Sequence, residues 1–192
     1  DANCRVYRTV DDILDYSYYV AGVVGVMIAK IMGITDEDVL DRACDLGIAF
    51  QLTNIARDIM DDAKADRVFV PQSLFLDKGI KGTVKELLDQ RNLPIIHEAV
   101  IVQLNLADRY YRSSKAGIKA LPFRCSWAMY AALNVYSDIG SRIKKQGPSA
   151  WSNRVSSSHL RKLYLSFLAL FSIFLNKTAV DVSRENLYQR PR

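Results

Sequence analysis

Histidine and cysteine are scarce in this chain: two histidines and three cysteines stand among 192 residues. His97 and His159 lie too far apart in sequence to suggest a metal-binding pair. Cys4, Cys44 and Cys125 form no C-x-x-C pair and are odd in number, which argues against a disulfide framework or a zinc module and favours a reducing compartment. Long apolar runs are missing as well. The longest, Val20–Ala29 and Leu163–Leu175 (broken by Ser166 and Ser172), fall short of the roughly 20 residues a transmembrane helix needs. The opening DANCRVYRTV has no hydrophobic core of the kind a secretion signal carries, so a cytoplasmic location is expected. Low-complexity segments, internal repeats and the alternating pattern of strands are all absent.

What is present is a globular composition, 49% hydrophobic and 24% charged, enough to bury a core. The net charge of +5 hides a division. Residues 1–66 hold 13 acidic and 6 basic side chains, net −7, whereas residues 67–192 hold 8 acidic and 20 basic, net +12. Such a split calls for an acidic site paired with a basic one.

Apolar residues recur at helical spacing almost throughout, which predicts an all-α chain of long helices. The first runs from about Val10 to Met32 and stops at Gly33. Thr35 is the expected N-cap of a second helix reaching about Asp62. Residues 63–82 read as irregular, with Pro71, Gly79 and Gly82 as breakers. Further helices are expected from Pro94 to Ala116, from Pro122 to Lys145 and from Ser157 to Val180.

The second helix carries the chemistry. At about 100° per residue, Gln51, Asn54, Asp58 and Asp62 form one narrow polar stripe, flanked by Ile48, Leu52, Ile55, Ala56, Ile59 and Met60. Asp58 and Asp62 are i,i+4 neighbours with no cation between them in sequence, an arrangement that destabilises a helix unless something relieves it. A divalent cation with oxygen ligands would do so, and magnesium takes one or two carboxylates plus substrate phosphates. Arg57 and Arg67 add anion-binding partners suited to a diphosphate. The competing reading is a solvated polar face, which accounts for most helical Asp pairs; against it, this stripe contains only amides and carboxylates.

In the first helix, Ala21, Gly25 and Ala29 repeat at i, i+4 and i+8, with Gly22 beside them. Interior glycines cost about 1 kcal/mol each, so they serve either close helix packing or room for a ligand chain. In the second case Val20 and Val24 form an apolar wall with Tyr16 and Tyr18 at its mouth, and aromatic faces can stabilise a carbocation. Late basic residues, among them Arg142, Lys144, Lys145, Arg154, Arg161 and Lys162, read as helix surface, a nucleic-acid patch, or contact with anionic lipid beside the amphipathic Leu160–Leu175.

Two segments resemble the squalene/phytoene synthase family. One runs LGIAFQ, LTN, IARD, IMDD and AKADRVFVP, from Leu46 to Pro71; the other is YSYYVAGVVG, Tyr16 to Gly25, with Ser17 where many relatives have cysteine. LPFRCSWAMYAALNVYSDIG and the closing QRP extend the likeness to the family's bacterial phytoene-forming branch. The resemblance implies an isoprenoid-synthase-type helical bundle and a head-to-head prenyl transferase. Two geranylgeranyl diphosphates would condense through the cyclopropyl intermediate prephytoene diphosphate to give phytoene, without NADPH. By the match, Asp58 and Asp62 coordinate magnesium (or manganese) together with Asn54, and Gln51 lines the same site. Arg57, Arg67 and Arg154 would bind diphosphate. Tyr16 and Tyr136 match aromatic residues beside the reacting carbons, and Val20, Ala21, Val24, Gly25, Ala43 and Leu46 match the wall of a prenyl tunnel.

The chain departs from the family in one respect. Relatives carry an earlier aspartate-rich motif well upstream of the YSYYVAG segment, whereas 15 residues precede Tyr16 here and none of them is an initiating methionine. The expectation is a single partial domain, residues 1–192, with its first helices absent and inactive by itself. Three alternatives stand beside it: a C30 synthase of the squalene or dehydrosqualene type using farnesyl diphosphate, a non-catalytic helical interaction protein, and a nucleic-acid binder. The retained acid and amide stripe speaks for the enzyme, so no nucleic-acid partner is expected.

Overall fold

A computed structural model of the chain describes residues 6–152, 155–175 and 183–191. Regular structure among the described residues is entirely helical. Helix α1 (Val10–Ser17) continues through a wide π-turn (Tyr18–Gly22) into α2 (Val23–Ile31). Helix α3 (Glu37–Lys64), the one-turn α4 (Val84–Leu87), α5 (Leu93–Ile118), α6 (Phe123–Gln146) and α7 (His159–Leu175) follow, with 3-10 turns at Gln72–Leu74, Leu76–Lys78, Gln90–Asn92 and Gly147–Trp151. The expected end of the last helix at Val180 lies outside the described residues, as does Arg154.

Local chemistry explains the boundaries. Thr9 starts α1 as a capping box with Asp12. The cap of α3 is Asp36, not Thr35: its carboxylate accepts from the amides of Asp38 and Val39 at 2.9 and 3.3 Å. Thr83 and Glu86 build a second capping box that starts α4, an element too short for periodicity to reveal. Val10–Ile31 as a whole is long and apolar enough to cross a membrane by length and composition, although Asp11, Asp12, Asp15 and Ser17 interrupt its apolar run.

Helix α3 is the axis of the bundle, packed against α5, α6 and the α1–α2 helix. Ile48, Leu52 and Ala56 are fully buried along it. Two of its polar groups are paired across the core: Thr53 Oγ1 meets the Tyr111 hydroxyl at 2.8 Å, and the Leu52 carbonyl accepts from Gln103 Nε2 at 2.8 Å. Where the α1–α2 helix meets α3, the backbones nearly touch. A Cβ on Gly47 would lie 2.2 Å from the Ala21 carbonyl oxygen, and one on Gly25 would lie 2.3 Å from that of Ala43. The glycines of the first helix therefore do serve close packing, and the π-turn falls at this contact.

Residues 183–191 lie back across α3 and account for part of the charge division. Arg184 forks onto Asp45 at 2.8 and 3.0 Å and reaches Asp41 at 3.0 Å, while Arg190 pairs with Asp41 at 2.5 Å and with Glu37. The late arginines thus neutralise an acidic stripe at the start of α3 that is separate from the Asp58–Asp62 stripe. Lys144 pairs with Asp108 and Arg161 with Asp138, but both pairs lie within residues 67–192 and leave the late basic excess as it was.

Two outcomes follow. Gly47→Ala should lower stability by about 1–3 kcal/mol in thermal or urea melts, because its Cβ meets backbone that cannot yield; Gly140→Ala, whose Cβ comes no nearer than 3.3 Å to the Leu104 side chain, should cost far less. Burial pushes the Cys44 thiol up to about 12, so it stays protonated at pH 8. Iodoacetamide at that pH should leave Cys44 unmodified in the native protein and alkylate it after unfolding, as read by peptide mass.

Candidate active site

The polar stripe of α3 opens into a cavity of about 260 Å³ lined by Tyr16, Gln51, Asn54, Arg57, Asp58, Asp62, Arg67 and Phe69. Sequence spacing placed Gln51, Asn54, Asp58 and Asp62 on one face, and the fold brings Arg57, Arg67 and Tyr16 to the same space. The placement of Arg67 depends on the end of α3. Asp66 takes a left-handed conformation, φ 59°; its amide bonds to Ala63 O, and that of Arg67 to Asp62 O at 2.9 Å. These two bonds make a Schellman reversal, usually built on glycine. The turn folds Arg67 back so that its guanidinium lies 3.2 Å from the Asp62 carboxylate.

The carboxylates are not unrelieved, as their spacing alone had implied. Arg57 forks onto Asp58 at 2.9 and 2.5 Å, and Arg67 holds Asp62. Two acids and two guanidinium groups leave this cluster close to neutral. Burial raises the Asp62 carboxyl above the usual range against the pull of Arg67, and Asp58 pushes the same way. Burial and the Asp62 charge also raise the Tyr16 hydroxyl, which therefore stays protonated.

One atom in this set lacks a partner. Asn54 Oδ1 is buried and accepts no hydrogen bond, a cost of about 1–3 kcal/mol that a bound group could recover. Asn54, Asp58 and Asp62 line the same cavity, and their amide and carboxylate oxygens are ligand types that magnesium and manganese accept. Among the described residues no group of three or more His, Cys, Asp or Glu converges to hold a metal. A cation here would complete its shell with water or ligand oxygens.

A second cavity, about 240 Å³ and almost wholly apolar, continues along α3. Val20, Ala21, Val24, Gly25, Ala43 and Leu46, the six positions expected in a tunnel wall, all line it. Other lining residues were missed: Gly47 and Phe50 on the same α3 wall and, opposite, Ser114, Gly117 and Ile118 from α5 and Met129 from α6. The small pair Ser114 and Gly117 on α5 was the available signal. Val24 and Ile28 are partly exposed, so the cavity is open along α2.

The aromatic positions divide. Tyr16 stacks on Phe69 at 5.2 Å between ring centres, with Tyr7 against both. Phe69 stands inside the quoted motif but was given no role. Tyr136 does not line the polar cavity; it lies 4.4 Å from the ring of Phe50, next to the apolar one. Tyr18 is not at the mouth either, since it packs against Tyr19 and Tyr188. A test of the donor set is Asn54→Leu, which removes the unsatisfied oxygen. The variant should melt higher, by about 1 kcal/mol of stability, and lose magnesium affinity in calorimetric titration.

Comparison with known proteins agrees with this geometry. The squalene/phytoene synthase profile matches residues 1–163. The chain is 43% identical over 194 residues to a 15-cis-phytoene synthase of Paracoccus sp. (strain N81106 / MBIC 01143), covering 100% of this chain and 62% of that protein. It is 44% identical over 186 residues to a 15-cis-phytoene synthase of Enterobacter agglomerans, covering 96% of this chain and 62% of the relative. Its fold is similar to the crystal structure of a dehydrosqualene synthase in complex with ligand, with TM-score 0.74 and 28% identity over 90% of this chain and 60% of that one. The chain therefore spans under two thirds of the length of these proteins. A signature shared over most of its residues and a common helical fold place the chain in the squalene/phytoene synthase family.

Proposed function

We propose that this chain binds a prenyl diphosphate, its tail in the apolar cavity and its head in the polar one, as part of a head-to-head prenyl transferase. The reaction proposed is condensation of two geranylgeranyl diphosphates, through prephytoene diphosphate, to phytoene. One observation carries the reading: a single face of α3 lines the apolar cavity with Ala43, Leu46, Gly47 and Phe50 and, directly beyond, the polar one with Gln51, Asn54, Asp58 and Asp62. An amphiphile with a long tail and an anionic head matches that order.

The residues divide the chemistry. Arg57 and Arg67 release their carboxylates and grip the diphosphate oxygens, for which a guanidinium fork is suited. Asp58, Asp62 and Asn54 Oδ1 would hold magnesium, which when bound neutralises the departing diphosphate as a Lewis acid. The allylic carbon–oxygen bond breaks with both electrons leaving on diphosphate. The faces of Tyr16 and Phe69 are available to the resulting cation. Gly47, Phe50 and the opposing α5 residues cover the tail on the α3 and α5 sides, which matters because water quenches a free allylic cation. Arg154 is proposed as a third diphosphate ligand from the family resemblance alone.

A C30 product from farnesyl diphosphate is the second reading, favoured by the fold likeness to a dehydrosqualene synthase. Peripheral contact with anionic lipid belongs to the same proposal, supported by the exposed Leu160, Leu163, Tyr164 and Phe167 beside Arg161 and Lys162 on α7.

The test joins this chain to the upstream segment of the Paracoccus relative and supplies labelled geranylgeranyl or farnesyl diphosphate with magnesium and no NADPH. A C40 hydrocarbon identified by mass is expected, and Asp62→Asn should reduce turnover by about 10³-fold or more. Near-normal turnover in that variant would refute the metal assignment, and C30 product alone would replace phytoene by the second reading.

A further inference from the structure

We infer that residues 183–191 form a latch that holds the two walls of the apolar cavity in register, making Arg184, Arg190 and Tyr188 positioning residues for the prenyl chain. The inference rests on the proposed prenyl diphosphate site. Its basis is that one short segment grips both helices whose contact forms the near wall.

On the α3 side, Glu37, Asp41 and Asp45 sit at i, i+4 and i+8, in the same helical half as Ala43, Leu46 and Gly47. Asp45 is completely buried and also accepts from Ser113 Oγ at 2.6 Å, which ties the pair to α5. On the other side, the Tyr188 ring lies 5.3 Å from that of Tyr18, the first residue of the π-turn, and the Asp15 carboxylate of α1 is near enough to raise the Tyr188 hydroxyl. The Tyr188 amide donates to the Tyr110 hydroxyl at 3.0 Å, and Arg184 Nη2 closes the segment on itself through the Tyr188 carbonyl at 3.0 Å. The Tyr18 ring in turn comes within 3.2 Å of the position a Cβ on Gly22 would occupy, beside the wall residue Ala21.

Such a network is an expensive way to gain stability. Desolvating Asp45 and Arg184 offsets much of their attraction, and a buried ion pair's best-attested service is to fix register. Register is what this wall needs. Its helices touch through glycine backbone, which packs closely but interlocks little, and the cavity is open along α2. A slide of the π-turned helix along α3 would move Ala21 off Gly47 and Gly25 off Ala43, closing the space with side-chain atoms.

Calorimetric titration of the chain with two probes in magnesium tests this: inorganic diphosphate, which reads the polar site, and geranylgeranyl S-thiolodiphosphate, which reads both sites. In the wild type the prenylated probe binds more tightly. Arg184→Lys, which keeps the charge but loses the fork, and Tyr188→Leu should each cut that advantage by about tenfold, within the usual range of coupling effects, and leave diphosphate affinity unchanged. The double variant Asp45→Asn with Arg184→Gln removes the pair without stranding a charge and should behave alike if a single variant unfolds. Hydrogen exchange should quicken at residues 18–25 in each folded variant. Equal losses for both probes, or an unchanged advantage, would overturn the latch while leaving the proposed site intact. A wild type without any prenyl advantage would overturn both.

Discussion

Everything in this structure depends on how closely the first helix approaches α3. Gly25 and Gly47 let carbonyl oxygens of Ala43 and Ala21 come nearer than any side chain would permit. That approach fixes the wall of the apolar cavity, and because α3 runs on unbroken to Lys64 it also fixes the polar cavity further along the same face. The spacing between the two sites is then set by helix geometry, about 1.5 Å per residue, rather than by loops. A rigid element is the best support for groups that must meet a ligand at two ends.

The electrostatics rest on acids that are already paired. In the site, Asp58 and Asp62 already hold Arg57 and Arg67, so arrival of the proposed cation and diphosphate would redistribute charge without leaving any bare. Away from the site, the acids at the start of α3 are paired with Arg184 and Arg190, and these pairs anchor the end of the chain. The two acidic stripes on one helix look alike in composition and differ in surroundings. One faces a cavity with an unsatisfied amide oxygen; the other is covered.

Much of this was legible in the residues. Helical periodicity is local, so the long helices and the Gln51, Asn54, Asp58 and Asp62 face could be read directly, as could the small residues of the first helix. What periodicity could not supply is which residues meet across the bundle. It therefore missed Gly117 and Met129 on the far cavity wall, and misplaced Tyr18, whose partner Tyr188 is 170 residues away in sequence. The same limit hid the division of the acids. A net charge of −7 over residues 1–66 cannot tell a ligand site from a structural stripe, because the distinction lies in which arginines fold back. The π-turn was invisible for a related reason, since it falls at a tertiary contact. Asp66 and Asp36 were missed on finer grounds: several polar residues can cap or reverse a helix, and the choice is made by backbone geometry.

The most direct test of the account is the structure of the chain bound to magnesium and geranylgeranyl S-thiolodiphosphate. The account predicts a cation touching Asp58, Asp62 and Asn54 Oδ1, the diphosphate on Arg57 and Arg67, and the prenyl chain running past Gly25 and Gly47. A diphosphate bound elsewhere, or a prenyl chain lying outside the cavity between α2, α3 and α5, would contradict it.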